Sequence, residues 1–493
     1  MNVAIFTSHL LLPSHYETEL EIILDHQKAG DHITQLVCNK ELPSCDTNPY
    51  HLQEACERCV SKRINGYTVL APGMHVRSFL QLNAEDKKKI SALRTEFSSI
   101  QELQSLWIDN YDIGYSIASS LISLSRNPNP TLEPRLIERY IVSCAGVYFS
   151  MLNYLRTNPT DVVYTFNGRF SHTKAVLRAC NKLGVKCLLH ERGNSVNYYS
   201  LFENTPIHDL KNTHNLIEKI WSEADPKERE RISTEWYTTR IGGKMQNWFS
   251  FLADQVIELP EGWDSSKRNI VICNSSEDEL ASLGDDWKNT LYKNQLDGIT
   301  RIIADGASME NTHFYLRIHP HLAKVDSEDV KKVASLQAKH LTVIPATSKL
   351  STYLLVKEAD KTITFGSTIG MEATFLRKPS ICAGKSFYHY LNGTYYPNDH
   401  AELMRLLEQE LEPKPLEEAL KFSYFFGTFG KHFKHYVPED FDKGTIYGKR
   451  IEPTMGNKYK LIKAIFHNKS IPKMSEYLSL RKRDLALRKL TLR

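Results

Sequence analysis

"ADKTITFGSTIGMEATFLRKPSICAG", residues 359–384, passes from an apolar strand through a Gly-Ser-Thr turn into a helix and back into a strand. A strand that halts on small hydroxyl residues and restarts as a helix turns backbone N–H groups and a helix N-terminus toward whatever lies beyond the sheet edge. That arrangement favours an anion. Gly366 lets the chain turn tightly, Ser367 and Thr368 supply hydroxyls, and Glu372 lies in the first turns of the helix. The plainer alternative is an ordinary N-cap, because Ser or Thr before a helix is common.

The same grammar extends outward in both directions. Upstream, "NIVICNSS", "THFYLRIHP" and "LTVIPA" read as strands, with "NQLDGITRIIADGA" and "LSTYLLVKEA" as helices between them. Near the N-terminus, Asn2–Thr7 is a strand, "YETELEIILDHQKAG" a helix ending on Gly30, and "HITQLVC" the next strand. "DVVYTFNGR", "SHTKAVLRACNKLG" and "VKCLLHERG" repeat that alternation, after a mostly helical stretch from Glu85 to Thr157. Two successive blocks of strand–helix alternation predict an α/β protein of two Rossmann-like domains facing a cleft, with extra helices. At 493 residues the chain exceeds one ordinary core. The expected division is an N-terminal domain over 1–257, a linker near "ELPEGWDSSKRN" (258–269), a C-terminal domain over 268–440 and a basic tail over 441–493.

Ligands of parallel sheets bind beyond the carboxyl ends of the strands. The groups there are Thr7–His9 with His15 and Glu17; Asn167, Gly168 and Arg169; and His190, Glu191 and Arg192. In the second block they are Asn274, Ser275 and Ser276 with Glu277; Arg317, His319 and Pro320; and Gly366–Thr368. In "FYLRIHPHL", Arg317 and His319 are two apart, so both side chains leave one face of the strand end before Pro320 stops it. An arginine fork beside a histidine suits a phosphate. A strand-end charge pair satisfied by water is the alternative.

The segments "NIVICNSSEDE", "LRIHPH" and "TFGSTIGMEATFLRKPSICAG" resemble the bacterial capsule-polysaccharide biosynthesis family, which includes retaining transferases of the eight-carbon acid sugar Kdo. "TFNGR" (165–169) and "HERGN" (190–194) are similar to N-domain segments of surface-polysaccharide transferases of that group. The likeness spans about residues 160–400. It implies the GT-B fold and a nucleotide-sugar donor, with a CMP-sugar favoured. It also implies that His319 and Pro320 hold donor phosphate, with Ser367, Thr368 and Glu372 beside them. A glycan or lipid-linked glycan would be the acceptor.

Sugar transfer needs groups that stabilise an oxocarbenium-like centre and, where the configuration inverts, a base for the acceptor hydroxyl. Glu191 and His190 suit those tasks, with His15 and Glu17 as further bases; Asn167, Arg169 and Arg192 would orient acceptor hydroxyls or charge. Glu191 as a simple ion-pair partner of Arg192 stands equally open. Two other readings compete: a sugar-nucleotide epimerase or hydrolase on the same fold, and a non-catalytic binder of anionic glycan or nucleic acid. The second lacks support, since the basic tail shows no aromatic–basic interleaving.

Cys38, Cys45, Cys56 and Cys59 form C-x6-C followed by C-x2-C. The second pair has zinc-knuckle spacing, and four thiolates would close a structural zinc site; packed thiols or a redox pair are the alternatives. Cys144, Cys180, Cys187, Cys273 and Cys382 sit in apolar runs and are expected in the core.

Charge is unevenly spread. Lys449–Arg493 holds thirteen Lys/Arg against three acids, a local net of +10 that leaves about −6 for the rest of a chain totalling +4. A basic tail on a mildly acidic body suits an anionic membrane surface. The tail's leucines, Leu478, Leu485, Leu487 and Leu490, follow a helical stripe only in part. The opening residues lack a basic n-region, and no apolar run is long enough to span a bilayer. The expectation is a cytoplasmic protein, peripheral at the inner face of the inner membrane.

Overall fold

A computed structural model describes residues 1–193, 195–243, 255–325 and 327–454. Two compact units emerge. The first comprises Met1–Ile117, Thr131–Glu191 and the chain from Phe433; the second comprises Ala118–Pro130 and Arg192–His432.

The first unit is built on β1 (Asn2–Thr7), β2 (His32–Val37), β3 (His75–Ser78), β4 (Val162–Phe166) and β5 (Lys186–Arg192). All pair in parallel, in the order β3-β2-β1-β4-β5. Parallel strands covered on both faces need unbroken apolar character, and β4, VVYTF, is buried at every position. The helix His15–Ala29 connects β1 to β2. It stops at Gly30, whose φ of 74° lets its own N–H reach the Gln27 carbonyl and the Asp31 N–H reach the His26 carbonyl. Ser171–Leu183 connects β4 to β5 and ends in the same way at Gly184.

In the second unit, β6 (Tyr198–Glu203) pairs antiparallel with the short β12 (Lys431–His432). Its main sheet consists of β7 (Arg268–Cys273), β8 (Thr312–Arg317), β9 (Leu341–Ile344), β10 (Lys361–Thr364) and β11 (Ser380–Cys382). The order is β11-β10-β7-β8-β9, again all parallel. Ranked by position in their own sheet, both units run third, second, first, fourth, fifth. Each is a doubly wound Rossmann-like unit, as the alternation predicted. Its strand order reverses between first and fourth strands: β1 and β4 in one, β7 and β10 in the other. One core of the second unit gathers Ile270, Ile272, Ile302, Phe314, Leu316, Ile363 and Phe365.

The boundary at Glu191/Arg192 lies well before the expected linker, and the reason is packing. Helices Leu210–Glu223 and Pro226–Ile241 press onto Leu416–Thr428, with Ile217, Tyr237, Phe422 and Phe425 in one buried cluster. The Tyr237 hydroxyl donates to the Ala419 carbonyl at 2.9 Å. The expected linker is itself packed, with the Trp263 ring stacked on Tyr315 at 4.4 Å.

The chain returns to the first unit at Phe433, where β13 (Tyr436–Pro438) pairs with β14 (Gly444–Ile446). Buried Glu21 receives three successive backbone N–H groups there, from Lys434 at 2.6 Å, His435 at 2.9 Å and Tyr436 at 2.8 Å. The tail leucines and most of its basic residues lie outside the described residues. Among those described, no helix is long and apolar enough to cross a membrane.

Candidate functional site

At the carboxyl edge of the second sheet, the loops leaving the strands are tied to one another. Gly366 turns the chain after β10 with φ 102°, and a Cβ there would meet the Lys385 carbonyl oxygen at 2.2 Å. Only glycine fits. The Ser275 hydroxyl, on the loop after β7, donates to the Phe365 carbonyl at 2.9 Å. Its neighbour Asn274 accepts the His319 backbone N–H, from the loop after β8, at 2.7 Å. His319, Ser275, Ser276 and the Gly366–Thr368 turn therefore share one edge, at the strand-order reversal. The Ser276 hydroxyl is buried with no hydrogen-bond partner among the described residues.

His319 is a neutral donor. Its Nδ1 accepts the His321 backbone N–H at 3.2 Å, which assigns the proton to Nε2. Burial, then the charges of His321, Arg317 and Arg126, push its pKa down to about 4. Pro320 ends the strand and opens a 3-10 turn over Pro320–Lys324.

Arg317 is placed differently from the pairing expected in the sequence. Its buried guanidinium turns into the loop after β9, donating to the carbonyls of Pro345 at 2.7 Å and Ser348 at 3.0 Å. Those donors hold the backbone of the loop after β9 in place. Glu372, expected to reach a ribose, is 1% exposed, and its Oε1 accepts from Arg240 Nη2 at 3.1 Å and from the Thr368 hydroxyl at 3.2 Å. The Ser367 hydroxyl accepts the Ile369 N–H at 3.3 Å. Beside the site, Glu277 is raised to about 7 by burial while its Oε1 accepts the Gln295 N–H at 3.1 Å.

The first sheet's edge is a dense polar network in which some buried nitrogens, such as His190 Nδ1, have no hydrogen-bond partner among the described residues. Glu191 accepts from Asn167 Nδ2 at 2.6 Å and lies 3.9 Å from His15 Nε2, and the His15 ring rests on Phe166 with centroids 4.0 Å apart. Asn167 sits at φ 54°, and Arg169 lays its guanidinium 3.9 Å over the Phe170 ring. His190 points the opposite way from Glu191. It is fully buried, with Nε2 3.5 Å from Glu19. Glu17 pairs with buried Lys62 at 2.8 Å. The structure thus brings Glu191, His15 and Asn167 together, keeps the buried His190 ring 6.2 Å from that of His15, and turns Glu17 to Lys62. Arg192 is half-buried and falls in the second unit.

Asp46 was not anticipated. It receives His9 Nε2 at 3.1 Å and the Ser171 hydroxyl at 2.9 Å, with His172 Nδ1 at 3.5 Å, while the Ser8 hydroxyl sits 2.7 Å from His9 Nδ1. Burial works to raise its carboxyl, but hydrogen bonds and charge from His172 and His9 hold it well below the usual range. In the second unit the unforeseen residues are Arg126, paired with Asp278 at 2.6 Å, and Arg240, Lys385 and His389. "KSFYH" (385–389) follows a strand end, so the rule that located Ser367 locates it too.

The four N-terminal thiols gather in one region, where Cys38, Cys45 and Cys56 all act on the Cys59 thiol, without their sulfurs all coming within 4.8 Å of one another. Among the described residues, the group whose ligand atoms all lie within 4.8 Å of one another is Glu21, Asp25 and His435, and no set of cysteines does so. Cys56 instead accepts from Asn48 Nδ2 at 3.2 Å and Cys45 contacts the Thr47 hydroxyl at 3.5 Å; burial raises the Cys45 thiol to about 12. The remaining five cysteines are buried in the core.

No known protein family matches the chain, and no curated protein matches it by sequence. Solved structures do. A Thermosulfurimonas dismutans KpsC beta Kdo 2,4 transferase is 16% identical, covering 54% of this chain and 79% of its own, at a TM-score of 0.36. The glycosyltransferase SnogD from Streptomyces nogalater is 10% identical, covering 87% and 94%, at 0.22. The Methanocaldococcus jannaschii UDP-GlcNAc 2-epimerase, in complex with UDP-GlcNAc and UDP, is 10% identical, covering 86% and 98%, at 0.24.

Proposed function

We propose that this protein is a glycosyltransferase that moves a sugar from a nucleotide donor onto a bacterial surface polysaccharide. The donor is a CMP-sugar, with Kdo as the sugar suggested by the motif resemblance, and the acceptor is a capsule or lipopolysaccharide O-antigen glycan. The observation that carries this reading is the tied edge of the second unit. Neutral His319 Nε2–H, the unpartnered Ser276 hydroxyl and the Gly366–Thr368 turn offer donors to a phosphate at the strand-order reversal.

In the transfer, the bond between the anomeric carbon and the donor phosphate oxygen breaks, and its electron pair leaves with the phosphate. An acceptor hydroxyl oxygen bonds to the sugar and gives up its proton. Glu191, oriented by Asn167 and backed by His15, is the group that takes that proton. The basic residues beyond Lys449 suit attachment to the inner face of a membrane carrying a lipid-linked acceptor.

A thermal-shift panel of CMP, UDP, GDP and dTDP tests the donor half. One nucleotide is expected to raise the melting temperature of the wild type, with the rise lost in His319→Ala. No rise with any of the four, or an undiminished rise in the variant, defeats the reading.

A further inference from the structure

An anion needs a countercharge as well as N–H and O–H donors, and most cations near the second unit's edge are already occupied. Arg240 pairs with Glu372 and Arg126 with Asp278. Arg317 spends its donors on the Pro345 and Ser348 carbonyls. His319 is uncharged at neutral pH.

Lys385 differs from all of these. Its ammonium lies 2.9 Å from His389 Nε2. An ammonium can only donate, so that nitrogen accepts and the imidazole proton sits on Nδ1, which is buried with no hydrogen-bond partner among the described residues. Burial and the Lys385 charge both favour this neutral form, pushing the His389 pKa down to about 4. The lysine is thus fixed in place without being neutralised.

Its loop belongs to the same edge. The Lys385 carbonyl packs against Gly366, and the Tyr388 hydroxyl donates to the Ser367 carbonyl. The loop after β11 therefore continues the line running from His319 through Ser275 to Ser367.

We propose that Lys385, propped by His389, supplies the cation that pairs with the anionic group of the nucleotide-sugar donor, its phosphate or a carboxylate on its sugar. This rests on the glycosyl-transfer reading above. His389 acts as a positioning residue.

Calorimetric titration separates the cases. CMP, UDP, GDP and dTDP, each beside its parent nucleoside, and free Kdo are titrated into wild type, Lys385→Met and Lys385→Arg at low and high salt. A lysine on phosphate predicts that Lys385→Met weakens the bound nucleotide roughly tenfold or more. Nucleoside binding stays unchanged, the salt dependence flattens, and Lys385→Arg restores most of the loss. A lysine on the sugar carboxylate instead confines the loss to Kdo. If Lys385→Met binds both anions as the wild type does, the assignment is overturned while the transferase reading stands. If the wild type binds no nucleotide, the transferase reading falls first and takes the assignment with it. Should Lys385→Met fail to fold, Lys385→Gln replaces it, keeping a polar head of similar reach.

Discussion

The two sheets share one strand order, yet their reversal points are held in different ways. Beyond β1 and β4, charged and polar side chains pair with one another, Asp46 with His9 and Ser171, Glu17 with Lys62 and Glu191 with Asn167, while His190 Nδ1 and His172 Nε2 stay buried with no hydrogen-bond partner among the described residues. Beyond β7 and β10, the loops are bound to one another by backbone and side chain, leaving a buried hydroxyl at Ser276 and a lysine whose partner is neutral. Side-chain pairs of the first kind contribute to folding. A set of donors held rigid but left unmatched is prepared for a ligand.

The sharpest way to break this comparison is Glu191→Gln. If the first edge supplies only the base, transfer falls by about 10²- to 10⁴-fold while nucleotide-induced stabilisation is unchanged. Steady-state transfer beside thermal shift checks both halves, and a parallel loss of nucleotide binding sinks the division of labour. Next in size is Asp46→Asn, expected to cost about 3 kcal/mol in urea unfolding because it leaves His9 and His172 beside a buried neutral group. The folded pKa of Asp46 lies below its unfolded value. Its stabilisation is therefore complete above about pH 4 and drains away as pH falls toward the folded value, and the variant should lose that acid dependence.

Glu277→Gln probes the second edge with the opposite sign. Its folded pKa of about 7 stands above the reference 4.5, so its contribution is full below 4.5 and is lost as pH rises through 7. The variant should gain about 2 kcal/mol over wild type at pH 8 and nothing at pH 4; a flat difference across that range refutes the buried-carboxyl account. Smallest is Ser276→Ala. Removing an unmatched buried hydroxyl should leave stability unchanged or raise it by about 1 kcal/mol, while weakening the nucleotide a few-fold. A stability loss above that size would show that Ser276 has a structural partner.

Much of this was legible in sequence because parallel strands buried on both faces read as unbroken apolar runs, and strand ends mark themselves with Gly, Pro and hydroxyl residues. β1, β4, β7, β8 and β10 with the turn at Gly366 follow from that alone. What sequence could not convey was pairing. Arg317 and His319 stand two apart, but β8 ends at Arg317 and its long guanidinium reaches over to the next loop's carbonyls. Glu372 is met by Arg240, 132 residues away, and Asp278 by Arg126, 152 away. Cysteine spacing foretold that Cys38, Cys45, Cys56 and Cys59 would gather, but not that Thr47 would contact the Cys45 sulfur and Asn48 the Cys56 sulfur. Long side chains and distant partners decide a site's charge balance, and neither has a local signature.

The Glu21 carboxylate, closed around three consecutive amides at 434–436, has a consequence for biosynthesis. During synthesis on the ribosome, the whole of the second unit leaves the exit tunnel before the strand that completes the first. Until residue 436 emerges, Glu21 is a carboxylate awaiting its amides.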